Sequence, residues 1–462
     1  MTTATADALI LFGITGDLAR RRLFPALYAL AEDGLLDIPV IGVSRSREDT
    51  ESLRRRAREA IEAAGVRIDE SVFARVGDNL SHVPGDYQDA DTFTAIREHV
   101  ADRRCTVSFL AIPPGLFDDV IKGLAGVGLH EKGRVVVEKP FGRDSRSAQA
   151  LNEIIYRHYP EDRVYRIDHF LGKEALQNLM VFRFSNTMLE PIWNRHYIRG
   201  VQITLSESFG VEGRGAFYDS VGAMRDVVQN HLLVMVSLLA MEPPVSDHPD
   251  ALRDERVKVL KAMESLDPRQ VVTGQYHGYR DEPGVAPDSS TETYFAARLE
   301  IDSWRWAGVP WIIRAGKSLE ATVTEAVVEF LRPPRLLFSD DTSAPGPNRI
   351  TFRSKPGDRI AMSLQSKRPG PKIVSEPVEL TLDYGEHHMD RQDAYERLLG
   401  DALRGDQSLF ARVDGVMEAW RIVAPVIDSA PQPFPYEVGS RGPSQSDVLV
   451  VPDWEWLTGS TP

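Results

Sequence analysis

The sequence predicts a doubly wound α/β domain over residues 1–172, followed by an α+β domain with a large, mostly antiparallel sheet over residues 173–462. Two observations lead to this prediction. In the first third of the chain, apolar β-branched runs alternate with helical stretches, which is typical of a parallel sheet with helices on both faces. After residue 172, several strand-like runs follow one another without helices between them, which favours antiparallel pairing.

Four strand-like runs define the first predicted domain. They are ALILFG (8–13), PVIGV (39–43), CTVSFLAIPP (105–114) and RVVVEKPFG (134–142). The intervening helical stretches are one that continues to Leu30, the charged segment ESLRRRAREAIEAAG, and a third near residues 116–129. This alternation predicts that the four strands belong to one parallel sheet.

The second predicted domain contains one strong helix and a series of strands. The helix covers residues 223–241 and follows the strand-like run IRGVQITLSESFG (198–210). The later strand-like runs are TYFAARLEI, WIIRAG, EAVVEFLR, NRITFR, IAMSLQSK and PVELTLDY. A helical region (392–427) and a Pro-rich segment (430–444) come after them.

Composition excludes several classes of protein. The 462 residues are 42% hydrophobic and 26% charged, as in an ordinary globular protein. A net charge of −14 argues against a nucleic-acid or membrane-surface binder, because both need a basic surface. The longest apolar run, Leu232–Met241, is too short to span a bilayer, and the first residues lack the basic region of a signal peptide. We therefore expect a cytoplasmic protein.

The single cysteine, Cys105, excludes an intramolecular disulfide. The sequence also contains no zinc-ligand spacing, and we expect no bound metal.

The first strand leads into a glycine turn and a helix. The strand ends at Gly13, a tight turn includes Thr15 and Gly16, and the helix begins near Asp17. In this geometry, backbone N–H groups at the start of the helix can bind a pyrophosphate. On its G-x-x-G spacing alone, a purely structural turn is an equal alternative. The position in the first strand–helix unit favours a Rossmann-type dinucleotide site.

The residues after the second strand discriminate between the two nicotinamide cofactors. NAD sites usually carry an acidic residue there, which binds the ribose 2′-hydroxyl. Here Ser44 and Arg45 follow the strand. A hydroxyl and a guanidinium suit a 2′-phosphate, so we predict NADP. The alternative is a solvated loop with incidental arginines.

Two later strand ends are predicted at the same crevice. The loop Ile112-Pro113-Pro114 has few amide donors and suits the nicotinamide ribose. Lys139 follows another strand at the carboxyl edge of the sheet, where ligands of such folds bind. Without the neighbouring motifs, Lys139 would be interpreted as a surface lysine.

A polar cluster marks the boundary between the two patterns. In the segment RVYRIDHFLGKE, Asp168, His169 and Lys173 are interleaved with apolar side chains, so some of the polar groups should point inward. A cluster of charges is more often a solvated face. His169 and Lys173 are four residues apart and could both contact a phosphate if the segment is helical.

Several long motifs occur in order along the chain. They are GITGDLARRRLFPALY (13–28), AIPP (111–114), VEKPFG (137–142), RIDHFLGKE (166–174), EGRGAFYD (212–219), RDVVQNHLL (225–233) and RAGK (314–317). Through these motifs the chain resembles the glucose-6-phosphate dehydrogenases over nearly its whole length. The resemblance implies oxidation of C1 of glucose 6-phosphate to 6-phosphogluconolactone with NADP, the first step of the pentose phosphate pathway.

The resemblance implies roles in catalysis and substrate binding for five residues. His231 would take the proton of the C1 hydroxyl, and Asp168 would orient the imidazole and balance its charge. His169 and Lys173 would bind the phosphate, and Lys139 would lie between nicotinamide and sugar. A histidine beside a carboxylate is a suitable base for this oxidation at neutral pH. Without the resemblance, His231 would be interpreted as a core histidine on an apolar helix.

Further positions are implied by the resemblance alone. Glu207, Asp226 and Lys317 would contact the sugar. The cofactor positions would be Gly13, Thr15, Gly16, Asp17, Leu18, Ser44, Arg45, Tyr87 and Lys139. A homodimer or homotetramer is also implied.

Three residues depart from the family pattern. Phe170 occupies a position where tyrosine is usual, Thr322 one where a basic residue is usual, and Arg22 one where lysine is usual. The first two keep open a dehydrogenase of a related hexose 6-phosphate. A catalytically silent NADP-binding homologue is the second alternative, although both Asp168 and His231 are present.

Overall fold

A computed structural model describes residues 4–100, 102–339, 345–384, 392–450, 454 and 456. The chain divides into two compact units. The first comprises Met1–Lys173, Pro244–Asp254 and Gln392–Met417, and the second comprises Glu174–Pro243, Glu255–Arg391 and Glu418–Pro462. Two segments from the later part of the chain therefore belong to the first unit.

The described residues form fifteen strands. They are β1 (Ala8–Phe12), β2 (Val40–Ser44), β3 (Leu80–Pro84), β4 (Thr106–Leu110), β5 (Arg134–Glu138), β6 (Val164–Ile167), β7 (Ile198–Ser206), β8 (Val271–Tyr276), β9 (Tyr294–Leu299), β10 (Trp311–Gly316), β11 (Val323–Phe330), β12 (Arg349–Lys355), β13 (Arg359–Lys367), β14 (Ser375–Asp383) and β15 (Phe434–Tyr436).

The same residues form twelve α-helices. They are α1 (Phe24–Glu32), α2 (Thr50–Ala63), α3 (Glu70–Asn79), α4 (Ala90–His99), α5 (Phe117–Gly126), α6 (Ser145–Tyr156), α7 (Glu174–Phe184), α8 (Gly215–Asp219), α9 (Leu233–Ala240), α10 (Pro249–Ala262), α11 (Ala394–Arg404) and α12 (Val413–Ser429). Of the helices in the described part of the chain, none combines the length and the apolar character that crossing a membrane requires.

The sheet of the first unit is parallel throughout, in the order β3-β2-β1-β4-β5-β6. This confirms the predicted doubly wound fold. The chain order reverses between β1 and β4, and every residue of these two strands is buried. A central parallel strand is covered on both faces, which explains why β1 is apolar at every position rather than at alternate ones. β4 also contains two small buried polar residues, Thr106 and Ser108.

Two strands of this sheet, β3 and β6, were not among the predicted runs, and both are edge strands. The sequence of β3 contains a serine, a histidine and a proline, which an edge tolerates. In β6, Arg166 is buried because its guanidinium donates to Glu161, at 2.8 and 2.9 Å, and to Asn152, at 2.8 Å. Polar residues at these edges interrupt the apolar pattern.

The sheet of the second unit has nine strands in the order β14-β13-β12-β11-β7-β10-β9-β8-β15. The pairs β7–β10 and β8–β15 are parallel. The other neighbouring pairs are antiparallel, which confirms the prediction of a large, mostly antiparallel sheet.

Two helices begin with π-helical segments. Ala19–Leu23 precedes α1, and Met224–Leu232 precedes α9. The single helix predicted over residues 223–241 is therefore π-helical in its first half and α-helical in its second. π-helical turns are rare and occur frequently at functional sites. Both segments belong to motifs that carry the family resemblance.

Aspartates cap several α-helices. Asp49, Asp69, Asp89, Asp144 and Asp393 stand immediately before α2, α3, α4, α6 and α11, and each side chain accepts a backbone N–H of the first turn. These bonds satisfy amides that have no partner within the helix. The starts of these helices are therefore specified locally by the sequence.

Candidate functional site

The glycine turn after β1 lies where the strand order of the first sheet reverses. Gly13 has a φ of +79°, and a Cβ atom there would lie 2.2 Å from the carbonyl oxygen of Ala111, which follows β4. Only glycine fits this position without displacing the backbone. Crevices at such reversals are the usual ligand sites of open parallel sheets, so the structure places the predicted pyrophosphate turn where a dinucleotide can bind.

Tyr87 holds this turn from within the first unit. Its hydroxyl accepts the Gly13 N–H at 3.0 Å and donates to the Val43 carbonyl at 3.2 Å. Burial raises the pKa of Tyr87, so the hydroxyl keeps its proton. Tyr87, predicted as a cofactor position, therefore joins the turn after β1 to the end of β2.

The rest of the turn is more accessible. Gly16 and Asp17 are exposed, and Thr15 and Leu18 are half-buried. The Asp17 carboxylate accepts bonds from Arg20 at 3.0 Å and Arg21 at 2.9 Å, and these arginines lower its pKa. The negative charge of the Asp17 carboxylate is thus balanced by two arginines that follow it within four residues.

Ser44 and Arg45 differ in what they can offer a phosphate. Ser44 is buried, and its Oγ lies 2.9 Å from His82 Nε2, while His82 Nδ1 lies 2.7 Å from the Glu48 carbonyl oxygen. A carbonyl only accepts, so in the neutral ring Nδ1 carries the hydrogen and Nε2 accepts from Ser44. The Ser44 hydroxyl proton is therefore engaged. Arg45 is exposed, and its guanidinium has donors of the kind that bind phosphate.

Lys139 follows β5, is half-buried and is joined to Pro140 by a cis peptide bond. The preceding residue, Glu138, has a pKa raised to about 8, chiefly because its carboxyl is buried, with Lys139 and a hydrogen bond from Tyr395 opposing the shift. Glu138 Oε1 is buried without a hydrogen-bond partner among the described residues. Burial therefore favours the protonated form of this carboxyl, beside the predicted lysine.

The segment after β6 forms two successive turns rather than a helix. Leu171 N–H donates to the Asp168 carbonyl at 3.0 Å and Lys173 N–H to the Phe170 carbonyl at 3.0 Å, and α7 begins only at Glu174. The helical spacing on which the pairing of His169 with Lys173 was predicted is therefore absent. Asp168 is buried, whereas His169 and Lys173 are half-buried.

Aromatic rings contact both candidate phosphate-binding residues of this segment. The His169 ring is stacked on that of Tyr395, with centroids 6.4 Å apart and planes 11° apart. The Lys173 ammonium lies 3.4 Å from the centroid of the Phe170 ring. Phe170 thus supplies a cation–π contact at the position where the family usually has tyrosine.

In the second unit, Glu207 and Lys317 leave adjacent parallel strands at the same edge. β7 ends at Ser206, which pairs with Gly316 at the end of β10. The Lys317 ammonium forms an ion pair with the Glu207 carboxylate. It also lies 5.3 Å from the Phe209 ring centroid and 5.2 Å from that of Tyr218.

Asp226 and His231 lie in the π-helical segment of this unit. In an α-helix, residues five apart project roughly 140° from one another around the axis. The wider π-helical turn brings such residues towards one side. Asp226 is half-buried and His231 is buried. Burial raises the pKa of Tyr218 well above its usual value, and the Asp226 carboxylate adds to this shift. The charge of Asp226 therefore acts on the Tyr218 hydroxyl.

Thr322, the second departure from the family pattern, is bonded to the loop after β7. Its Oγ1 accepts the Ser208 N–H at 3.0 Å and lies 2.9 Å from the Ser208 hydroxyl. The position therefore carries no cation but stabilises the residue next to Glu207.

Two models of known families match the chain. The model described as glucose-6-phosphate dehydrogenase, NAD binding domain, matches residues 10–178, and that of the C-terminal domain matches residues 180–456. The chain belongs to the glucose-6-phosphate dehydrogenase family. It is an oxidoreductase of that family.

Full-length relatives agree with this assignment. Glucose-6-phosphate 1-dehydrogenase 1 of Mycobacterium tuberculosis (strain ATCC 25618 / H37Rv) is 43% identical over 96% of this chain and 95% of its own. The cytoplasmic isoform of Solanum tuberosum is 37% identical over 96% of this chain and 91% of its own.

Two solved structures of the family are closely similar to this chain. Glucose-6-phosphate 1-dehydrogenase from Mycobacterium avium has a TM-score of 0.90 and 44% identity over 99% of this chain and 100% of its own. A glucose-6-phosphate dehydrogenase in complex with its substrate glucose-6-phosphate has a TM-score of 0.90 and 36% identity over 97% and 98% of the two chains.

The sequence did not draw attention to Glu138 or Tyr395 as site residues. Glu138 stands in the VEKPFG motif, and this position was the available signal. Tyr395 lies in α11, more than two hundred residues after His169, and nothing local in the sequence connects them.

Proposed function

We propose that this protein oxidises C1 of glucose 6-phosphate to 6-phosphogluconolactone with NADP. The observation that carries the proposal is the match of the whole chain to glucose-6-phosphate dehydrogenases, one of which has been solved with that sugar phosphate. The geometry of each unit is consistent with it: the first offers a nucleotide turn and cations, and the second a histidine with sugar-binding carboxylates.

The residues of the first unit fit NADP. Gly13 has no side chain where a Cβ would block the turn, and Arg45 is exposed at the end of β2. NADP, when bound, accepts the hydride that leaves C1. The proposed cofactor positions are Gly13, Thr15, Gly16, Asp17, Leu18, Ser44, Arg45, Tyr87 and Lys139. Tyr87 and Ser44 act through the hydrogen bonds that organise the turn and the end of β2.

We assign His231 as the base that accepts the proton of the C1 hydroxyl. As hydride leaves C1, the O–H bond must break so that the C1–O bond becomes a carbonyl, and a neutral imidazole can accept that proton. We assign Asp168 as the carboxylate that orients and stabilises the protonated imidazole. Both side chains are buried, which increases the strength of electrostatic interactions around them.

We assign His169 and Lys173 as the residues that bind the phosphate group of the sugar. Both belong to the turns after β6, and each is in contact with an aromatic ring, so their side chains are held in fewer orientations. In the second unit, Glu207 and Asp226 would accept hydrogen bonds from sugar hydroxyls, and Lys317 would donate one. Anchoring the phosphate and the hydroxyls holds C1 in the reactive position.

A cytoplasmic location and a homodimeric or homotetrameric assembly complete the proposal. The potato relative is named a cytoplasmic isoform, and the net charge of −14 does not favour a membrane surface or a nucleic acid as partner.

A panel of substrates tests the proposed function. The protein is mixed with NADP or NAD and with glucose 6-phosphate, other hexose 6-phosphates or glucose, and the absorbance of the reduced nicotinamide is followed. We expect the highest kcat/KM with glucose 6-phosphate and NADP. A higher value with another hexose 6-phosphate would assign Phe170 and Thr322 to a change of specificity. If neither NADP nor NAD is reduced with any sugar phosphate, the protein would be the catalytically silent homologue.

A further inference from the structure

The turn that carries Lys317 has an unfavourable backbone conformation. Ser318, the next residue, has a φ of +53° and is buried. A residue with a Cβ atom rarely adopts this left-handed conformation, which persists where the surrounding structure imposes it. Such positions cluster at functional sites. Contacts from the surrounding residues therefore hold the turn in this conformation.

The C-terminal segment around β15 binds the backbone of this turn at three successive places. The Tyr436 hydroxyl donates to the Lys317 carbonyl at 2.7 Å. Gly439 N–H donates to the Ser318 carbonyl at 2.8 Å, and Glu320 N–H donates to the Ser440 carbonyl at 2.8 Å. Of these contacts, the bond from Tyr436 is made by a side chain, so a single substitution can remove it.

The Tyr436 hydroxyl is itself oriented by a chain of hydrogen bonds. Tyr276 N–H donates to Thr293 Oγ1 at 3.0 Å, and Thr293 Oγ1 lies 2.9 Å from the Tyr436 hydroxyl. The Tyr436 proton goes to the nearer carbonyl, that of Lys317 at 2.7 Å rather than that of Thr293 at 3.3 Å, so the threonine hydroxyl donates to the tyrosine oxygen. The two hydroxyls each donate and accept, which strengthens the bonds cooperatively.

We propose that Tyr436 is a positioning residue for sugar binding: its hydroxyl fixes the Lys317 turn and so holds the Lys317 ammonium at the sugar. This inference rests on the proposed function, in which Lys317 contacts a sugar hydroxyl. It adds a dependence of substrate affinity on the C-terminal strand, far from Lys317 in the sequence. Small displacements of a binding group are costly because the reactive geometry is narrow.

The ring and the hydroxyl of Tyr436 have separable roles. The ring packs in an aromatic cluster, with centroids 6.3 Å from Tyr276 and 5.8 Å from Tyr294, both edge-on. Tyr436→Phe keeps this packing and removes the hydroxyl, which loses the bond to the turn together with the contacts to Thr293 Oγ1 at 2.9 Å and to the Thr293 carbonyl at 3.3 Å. Tyr294→Phe is the matched control, because it makes the same change in a neighbouring ring whose hydroxyl does not bond to the turn.

Steady-state kinetics of the full chain test the proposal. We expect Tyr436→Phe to raise KM for glucose 6-phosphate about 3- to 10-fold while KM for NADP stays within about twofold. Tyr294→Phe should leave both constants within about twofold. The thermal unfolding midpoint of each variant is measured in parallel, since a merely structural loss lowers that midpoint without a selective change in KM for the sugar.

Thr293 provides a second test if Tyr436→Phe does not fold. Thr293→Ser retains the hydroxyl and should behave as the parent, whereas Thr293→Val removes it and should raise KM for glucose 6-phosphate selectively. An unchanged KM for the sugar in a folded Tyr436→Phe variant would overturn the inference while leaving the proposed function intact. Absence of activity in the parent protein would instead overturn the proposed function.

Discussion

The ammonium of Lys173 lies 3.4 Å from the centroid of the Phe170 ring. The ring face attracts the cation and restricts its orientation, as the ring of a tyrosine at this position also would. The proposed phosphate site therefore keeps a well-placed Lys173 although it lacks a tyrosine hydroxyl at position 170.

Substitution of Phe170 separates these two effects. Phe170→Leu removes the cation–π contact, worth about 0.5–1 kcal/mol at an accessible site, and should raise KM for glucose 6-phosphate roughly two- to fivefold. Phe170→Tyr retains the ring and should lower that KM severalfold if the added hydroxyl reaches the phosphate. Steady-state kinetics check both. A leucine variant with parental KM would show that the ring does not assist Lys173.

The proposed base is tested by removing its imidazole. His231→Asn should lower kcat by about 10²–10⁴ with little change in the affinity for glucose 6-phosphate, because proton transfer is lost while the anchors remain. Asp168→Asn should also lower kcat, and the effect of the double variant should fall well short of the sum. Near-normal turnover of His231→Asn would remove this residue from the mechanism.

The choice of cofactor is tested at Arg45. The Ser44 hydroxyl is hydrogen-bonded to His82, and we propose that the exposed Arg45 guanidinium distinguishes a 2′-phosphate from a hydroxyl. Loss of a charge-assisted bond costs about 1.5–3 kcal/mol, so Arg45→Ala should raise KM for NADP roughly 10- to 100-fold. KM for NAD serves as the internal control and should stay nearly constant. Equal increases for both cofactors would contradict this role.

Gly13 of the nucleotide turn has a matched control in Gly65, which follows α2. Gly13 and Gly65 both have a φ of +79°, but a Cβ at Gly13 would lie 2.2 Å from a carbonyl oxygen and a Cβ at Gly65 would meet nothing within 4 Å. Gly65→Ala should cost about 1–2 kcal/mol of stability from the left-handed conformation alone.

Gly13→Ala should cost about 1–3 kcal/mol more, because the backbone must also move to relieve the clash. The thermal unfolding midpoints of the two variants provide the comparison, and KM for NADP should rise only for Gly13→Ala. Equal midpoints would show that the turn yields more easily than the packing suggests.

The pH dependence of stability is tested at Glu138. Burial raises its pKa in the folded state to about 8, from 4.5. The folded protein therefore binds this proton more tightly than the unfolded chain. The contribution of Glu138 to the free energy of unfolding falls as the pH rises from about 4.5 through about 8. Glu138→Gln cannot ionise, so its unfolding midpoint should decline less between pH 5 and pH 8 than that of the parent. Parallel declines would contradict the raised pKa.

Much of the framework followed from local sequence. The apolar runs predicted β1, β2, β4 and β5, because central parallel strands are buried on both faces. Gly13 predicted the tight turn because the left-handed backbone conformation of a glycine is a local property of the chain. The edge strand β6 was missed because its buried arginine is compensated by Glu161 and Asn152, and no strand pattern includes such partners.

The tertiary structure decided what surrounds the predicted residues. Tyr395 is stacked on His169, and Tyr436 binds the Lys317 turn, across separations along the chain that no periodicity spans. The π-helical segment that contains Asp226 and His231 also differs from the 3.6-residue period used to predict the helix. The sequence by itself determined which chemical groups are available, because identity and local conformation reside in neighbouring residues. Only the tertiary structure decided their partners, because burial and contact depend on how distant strands and helices are brought together.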